Sequence, residues 1–261
     1  MEYKKNLVRK PEISVQEDFL FGTRAVIEAL KAGKPVDKIL LKSGLQNELF
    51  GELYTLIKEL EVPFQYVPVE KLNRVTRKNH QGVIALISPI EFHRLDDVLP
   101  SIYERGEDPL LLLLDQVTDV RNFGAMVRSA ECAGVHAVII PEKGAARIGG
   151  DAVKTSAGAL NLVPVCRVRD MVAAVSYLQE SGIRVIAATE KTKDLYTALD
   201  FTGPLAIIMG SEDEGISPAL LRKADLLASI PILGNIASLN VSVAASLMVY
   251  EAVRQRGISQ V

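Results

Sequence analysis

The sequence predicts an α/β protein in two parts, a small N-terminal α/β domain followed by a longer one built on an open sheet. Three observations predict it. From Phe19 onward, helix-patterned stretches alternate with short apolar runs. One of those runs, Leu110–Leu114, is continuously apolar and closed by Asp115, as expected of a strand buried on both faces. Three polar or glycine-bearing turns each end an apolar run in the second half: Asn122 to Arg128, Met209 to Gly215, and Ile230 to Ser242. In open α/β sheets ligands bind where strands end and helices begin, so these turns are the raw material of one shared pocket.

Residues 1–17 carry several charges and little periodicity and read as a flexible arm. The first domain is expected over 18–92. Gly22 to Gly33 has a helical stripe at Val26, Ile27 and Leu30; Lys38–Leu41 is a short strand; Asn47–Leu60 is a helix; Pro63–Val67 is a strand; Val69–Val75 is a helix; and Val83–Ile87 is a strand. The region 93–108, with Pro100 and Gly106, is expected to link the domains, with a short helix near Leu95–Tyr103. The second domain runs over 109–261. Its expected strands are Leu110–Leu114, Ala137–Ile140, Val163–Cys166, Arg184–Ala188, Leu205–Met209 and Leu226–Ile230. Its expected helices are Gly124–Ala133, Ala152–Leu160, Met171–Ser181, Pro218–Lys223 and Ser242 to about Arg256. Apolar residues surround that last helix, which predicts burial in the core or against another subunit.

Composition narrows the function. Apolar residues make up 48% and charged residues 24% of 261, a globular balance. No apolar run approaches the roughly 20 residues of a membrane span. The N-terminal Met-Glu-Tyr-Lys-Lys-Asn leads into no apolar stretch, so neither a secretory signal nor a membrane partner is expected, and the cytoplasm is the expected location. Cys132 and Cys166 have no metal-binding spacing and read as two buried thiols. Net charge is −2, but residues 1–95 hold 15 Lys and Arg against 12 Asp and Glu, while 96–261 hold 15 against 20. The positive excess gathers at Lys4, Lys5, Arg9 and Lys10 and at Arg74, Arg77 and Lys78.

Several chemistries lack their residues. The strand ending at Asp115 is not followed by Gly-x-Gly-x-x-Gly, and no Gly-Lys-Ser/Thr loop occurs. The three histidines are scattered, which supports neither a metal nor a Ser/His nucleophile. Asn122 stands before Gly124 as an expected helix cap, with Arg128 on the following turns able to grip a phosphate. Four polar residues between Gly210 and Gly215 suit a loop that approaches a ligand closely, yet its three acids make a poor anion site. Ser238 and Asn240 supply a hydroxyl and an amide before the last helix, where helix capping is also expected.

Together these segments resemble the SpoU family of RNA 2′-O-ribose methyltransferases, of the SPOUT class, over nearly the whole chain. Asn122, Gly124 and Arg128 match the first family motif. Gly210, Ser211, Glu212, Glu214 and Gly215 match the second. Ile230, Pro231, Gly234, Ser238, Leu239, Asn240, Val241 and Ser242 match the third. Asp213 departs from the small residue common at its position. The resemblance implies a parallel sheet with a deep trefoil knot in the C-terminal domain and S-adenosylmethionine bound in the knot. It implies a homodimer formed near the last helix, while the absence of paired His or Cys spacing leaves no metal expected. Phe21 to Val26 and Asn79 to Ala85 are similar to the ribosomal-protein-like (L30e-like) RNA-binding domain of a subgroup acting on a guanosine of 23S ribosomal RNA. It implies catalytic roles for Arg128, Asn122, Glu214, Ser238 and Asn240, with Arg128 as proton acceptor or phosphate anchor. Cofactor contacts are implied at Thr189, Gly210, Ile230, Ser238 and Leu239, and RNA contacts at Arg24, Arg74, Arg77, Lys78 and His80. Two alternatives stand beside this reading: the same chemistry on tRNA or on a resistance-conferring ribosomal nucleotide, and a non-catalytic RNA-binding assembly protein.

Overall fold

The computed structural model describes residues 19–257, and the arm read at 1–17 lies outside the described residues. The chain divides into two units, one ending at Ile87 and one beginning at Ser88.

In the first unit, strands β1 (Phe19–Phe21), β2 (Val36–Lys42), β3 (Phe64–Val67) and β4 (Val83–Ile87) form a sheet ordered β1-β4-β2-β3. β4 runs antiparallel to β1 and β2, and β3 parallel to β2. Alternation along β2 and β4 separates two packed faces. Ile39, Leu41, Val83 and Ala85 meet helices α1 (Thr23–Lys31) and α2 (Glu48–Glu59). Leu40 and Ile84 meet Leu72 of α3 (Val69–Val75). Asn47 caps α2 by accepting the Phe50 N–H at 2.8 Å.

The second unit has seven parallel strands: β5 (Phe92–His93), β6 (Leu110–Leu114), β7 (Ala137–Pro141), β8 (Val165–Val168), β9 (Arg184–Ala188), β10 (Leu205–Met209) and β11 (Leu226–Ala228). Their order is β11-β9-β10-β6-β7-β8-β5, so β6 is central. Every leucine of β6 is at most 1% exposed, and each such burial contributes about 1.5–3 kcal/mol. Leu110, Leu112 and Leu114 pack in one core with α5 (Val120–Cys132), α6 (Gly150–Thr155) and α9 (Val241–Gln255). Leu111 and Leu113 pack in another with α4 (Leu95–Glu104), α7 (Met171–Glu180) and α8 (Pro218–Lys223).

Several expectations need correction. The stretch 93–108 is not free of the fold: Phe92–His93 forms the edge strand beside β8, and Leu95, Leu99 and Ile102 of α4 are core residues. Helix α5 begins at Val120, not Gly124. Its cap is Asp119, whose Oδ1 accepts the Asn122 N–H at 2.7 Å, so Asn122 is a first-turn residue rather than a cap. Strand β8 starts two residues later than expected, since Pro164 has no N–H for a ladder bond. The expected helix 152–160 is instead α6 followed by a 3-10 turn at Ala159–Asn161. Cys132 is exposed; only Cys166 is buried, and burial pushes its thiol up to about 12.

Candidate active site

The carboxyl ends of β9, β10 and β11 open into a cleft of about 340 Å³. Its walls are Ala188–Glu190 after β9, the run Met209–Gly215 after β10, and residues from Ala228 to Leu239 after β11, with Val241 and Ala244 of α9 behind. Sequence reasoning named Thr189, Gly210, Glu214, Ile230, Ser238 and Leu239, and all six line it.

Each wall has a local cause. Thr189 continues the ladder past β9, its N–H donating to Ala228 O at 2.9 Å. The loop 211–215 closes on itself through reciprocal backbone bonds between Ser211 and Gly215, both 3.1 Å, and Ser211 Oγ accepts the Glu214 N–H at 3.1 Å. At Gly210 a Cβ would fall inside the backbone of Gly215 and Ile216, so only glycine allows that crossing. Asp115, buried at the end of β6, accepts the Ser217 N–H at 2.7 Å and pins the far end of the loop.

Beside the cleft, three distant stretches meet. Asn240 Nδ2 donates to Glu212 Oε1 at 2.6 Å and to Asn122 Oδ1 at 3.0 Å, the latter across 118 residues of sequence. Glu212 Oε1 also accepts the Val241 N–H at 3.3 Å, while Asn240 Oδ1 caps α9 by accepting the Ser242 N–H at 3.0 Å. Deeper between α5 and α9, the Ser246 and Ser129 hydroxyls lie 2.7 Å apart. Glu212 and Asp115 are the residues to which sequence reasoning gave no role. Glu212 stood in the second motif, whereas nothing near Asp115 signalled a contact 102 residues away.

Not every expected residue joins the site. Arg128 is exposed on α5, outside the cleft walls, with no side-chain partner among the described residues. In the first unit Arg24, Arg74, Arg77 and Lys78 are exposed, and Lys78 Nζ lies 5.6 Å from the Phe21 ring. His80 differs from these in being buried: Nδ1 accepts the Gly82 N–H at 3.0 Å, and Nε2 lies 2.9 Å from Asn73 Oδ1. One ring nitrogen thus holds the 80–82 turn and the other ties that turn to α3. The segments Phe21 to Val26 and Asn79 to Ala85 meet, as Gly22 donates to Val83 O at 3.0 Å and Gln81 Oε1 accepts the Thr23 N–H at 3.3 Å.

A parallel doubly covered sheet with a strand-end cleft walled by three loops defines a small-ligand-binding α/β enzyme. The particular family follows from comparison. Residues 109–250 match the SpoU rRNA Methylase family, and 19–93 match the domain described as RNA 2′-O ribose methyltransferase substrate binding. The chain belongs to the SpoU family and is an RNA methyltransferase. It is 38% identical over 251 residues to the 23S rRNA (guanosine-2′-O-)-methyltransferase RlmB of Photobacterium profundum, covering 94% of this chain and 100% of that protein. It is 33% identical over 244 residues to YacO of Bacillus subtilis, named a TrmH family tRNA/rRNA methyltransferase, covering 94% and 98%. Among solved structures, the SpoU methyltransferase AviRb of Streptomyces viridochromogenes, in complex with AdoMet, aligns with TM-score 0.58 at 26% identity over 91% of this chain and 89% of that one.

Among the described residues no helix is long and apolar enough to cross a membrane, and no group of three or more His, Cys, Asp or Glu could hold a metal ion.

Proposed function

We propose that this protein methylates the 2′-hydroxyl of a guanosine ribose in 23S ribosomal RNA, with S-adenosylmethionine as methyl donor, in the cytoplasm. The observation that carries the reading is the cleft whose floor only glycine permits at Gly210. Its fit to the donor rests on three features: a volume of about 340 Å³, backbone and apolar walls suited to an uncharged adenine edge, and a rim carrying Glu190, Glu212, Asp213 and Glu214. That acidic rim disfavours a phosphate-bearing ligand and suits one with a cationic sulfonium. Thr189, Gly210, Ile230, Ser238 and Leu239 would hold it.

When bound, S-adenosylmethionine supplies a methyl group already made electrophilic by its sulfonium centre. The residues of this chain then have two tasks, to align the ribose hydroxyl in line with that group and to help its proton leave. Asn122, Glu214, Ser238 and Asn240 orient the ribose and the loops. Arg128, exposed and without a side-chain partner among the described residues, anchors an RNA phosphate, since a guanidinium keeps its proton in nearly all settings.

The first unit, read as ribosomal-protein-like, contributes salt-dependent phosphate contacts through Arg24, Arg74, Arg77 and Lys78. A trefoil knot formed by the loops after β9, β10 and β11 belongs to the same reading. Two of those loops are tied together, Ser229 donating its N–H to Asp194 O at 2.8 Å and accepting the Tyr196 N–H at 3.0 Å. Homodimerisation through α9 is supported by Val243, Leu247 and Tyr250, an exposed apolar stripe at i, i+4 and i+7.

The test is a map of ribose methylation in total RNA from a deletion strain. Loss of one guanosine methyl in 23S ribosomal RNA is the expected result. A loss confined to tRNA would reject the ribosomal assignment, and no loss anywhere would reject the reading.

A further inference from the structure

Resting on the ribose-methylating reading above, we infer that the second unit carries an RNA-docking surface of its own, a basic strip of Arg121, Lys143 and Arg147 across the carboxyl ends of β6 and β7. The reasoning starts from a conflict of charge. The cleft is rimmed by Glu190, Glu212, Asp213 and Glu214, and no Lys, Arg or His lines it. Such a rim repels a polyanion, yet the reactive ribose has to come to its edge. The strand order resolves the conflict. β9, β10 and β11, whose ends carry the acids, lie on one side of β6, and β7 and β8 lie on the other. RNA phosphates can settle over β6 and β7 while the methyl donor occupies the acidic half.

Arg121 is exposed in the first turn of α5, one residue before Asn122, whose side chain meets Asn240 beside the cleft. A cation in a first turn opposes the helix dipole, so helix stability does not account for this arginine. Lys143 and Arg147 are exposed on the loop after β7. The buried Ala146 and Ile148 flank Arg147 and hold that loop against the core. The Ala146 N–H donates to Val117 O at 2.7 Å, which ties the loop to the segment between β6 and α5. The three cations therefore stand on neighbouring, fastened segments. Arg121 and Lys143 have no side-chain partner among the described residues. The nearby acids are engaged elsewhere: Asp115 is buried and takes the Ser217 N–H, Asp119 caps α5, and Asp170 caps α7. Neighbouring strands are about 4.8 Å apart, so the strip lies about 5–10 Å across the sheet from the end of β10. That is within reach of the phosphates flanking the reactive ribose, and phosphate contacts of this kind fix the position of a bound strand.

The test uses the full-length protein and a fluorescent synthetic RNA spanning the mapped position, with Kd measured by anisotropy over a salt series. In Lys143→Ala/Arg147→Ala the RNA Kd should rise about tenfold at low salt, and the slope of log K against log salt should flatten by about 2, one for each cation removed. Arg121→Ala should flatten it by about 1. S-adenosylmethionine Kd by calorimetry should stay within threefold in both. Lys143→Arg/Arg147→Lys keeps the charges and should keep the slope. Arg222→Ala/Lys223→Ala removes the same charge from the end of α8, beside the amino ends of the strands, and should leave RNA Kd within twofold. An unchanged slope in the strip variants, an equal loss in the α8 variant, or a loss that Lys143→Arg/Arg147→Lys shares overturns the proposal. A fall in S-adenosylmethionine affinity as large as the fall in RNA affinity overturns it too, since it would mark a disturbed fold. Failure of the unaltered protein to bind or methylate this RNA would instead overturn the underlying reading.

Discussion

Gly210→Ala adds a single methyl group, and the structure says where it goes: into the backbone of Gly215 and Ile216. No side-chain rotation relieves a clash with backbone, so the loop 211–215 must move away from the end of β10. That loop is tied at both ends, by the Ser211–Gly215 pair and by the Asp115 carboxylate on Ser217, so the displacement strains at least one tie. Overpacking of this kind costs about 1–3 kcal/mol, and the upper half of that range, about 2–3 kcal/mol, applies where backbone must yield. For a unit the size of Ser88–Val261 this lowers the melting temperature by about 4–12 °C. The moved loop is also a cleft wall, so S-adenosylmethionine affinity should drop at least tenfold, about 1.4 kcal/mol. Differential scanning calorimetry and isothermal titration of the same preparation read both. Affinity within threefold and a melting shift under about 1 °C would refute the claim that the crossing at Gly210 is closed to a side chain.

Arg128→Ala should abolish methyl transfer in a tritium-incorporation assay while S-adenosylmethionine Kd stays within a few-fold; retained turnover removes Arg128 from the reaction. The double variant Leu247→Asp/Tyr250→Asp should shift the protein from dimer to monomer in sedimentation, and a monomeric unaltered protein would remove α9 as the interface. His136 gives a pH dependence. Burial lowers its affinity for a proton, outweighing the opposing pull of Glu107, and Nδ1 accepts the Leu110 N–H at 3.0 Å, which requires that nitrogen to be unprotonated. Folding therefore favours the neutral ring. The stability is present above the unfolded value of about 6.5 and is lost as pH falls through the lower folded value. Melting temperature should fall more steeply from pH 7 to 5 in the unaltered protein than in His136→Gln, and equal slopes would exclude His136 as the cause.

Much of the architecture was legible because its signals are local. Leu110–Leu114 and Leu205–Met209 are unbroken apolar runs of strand length, and both are central strands with faces covered on each side. The α5 boundary was misplaced because Asn122 looks like a cap, whereas Asp119 takes that place, so that Gly124 lies within the helix rather than at its start. Gly124 serves there as a close-packing residue, where a Cβ would meet Thr155 Cβ at 2.8 Å and Ala152 O at 3.0 Å. Strand β5 escaped notice because two residues carry no period. At the site, the cleft walls were legible as turns rich in glycine and polar residues. The bond between Asn122 and Asn240 was not, since no local pattern reports a contact made only after the sheet is assembled. The burial of His80 between the Gly82 N–H and Asn73 was not legible either, because both contacts depend on how the 80–82 turn meets α3.

The link between Asn122 and Asn240 also bears on how the enzyme comes into being. It joins segments 118 residues apart, with β7 through β11 lying between them. Closing so large a loop has to wait until those strands are in register, and topologies dominated by distant pairings are slow to form. Catalytic competence should therefore appear among the final events of maturation. Incompletely assembled molecules, even with most helices and strands in place, would be chemically silent toward RNA.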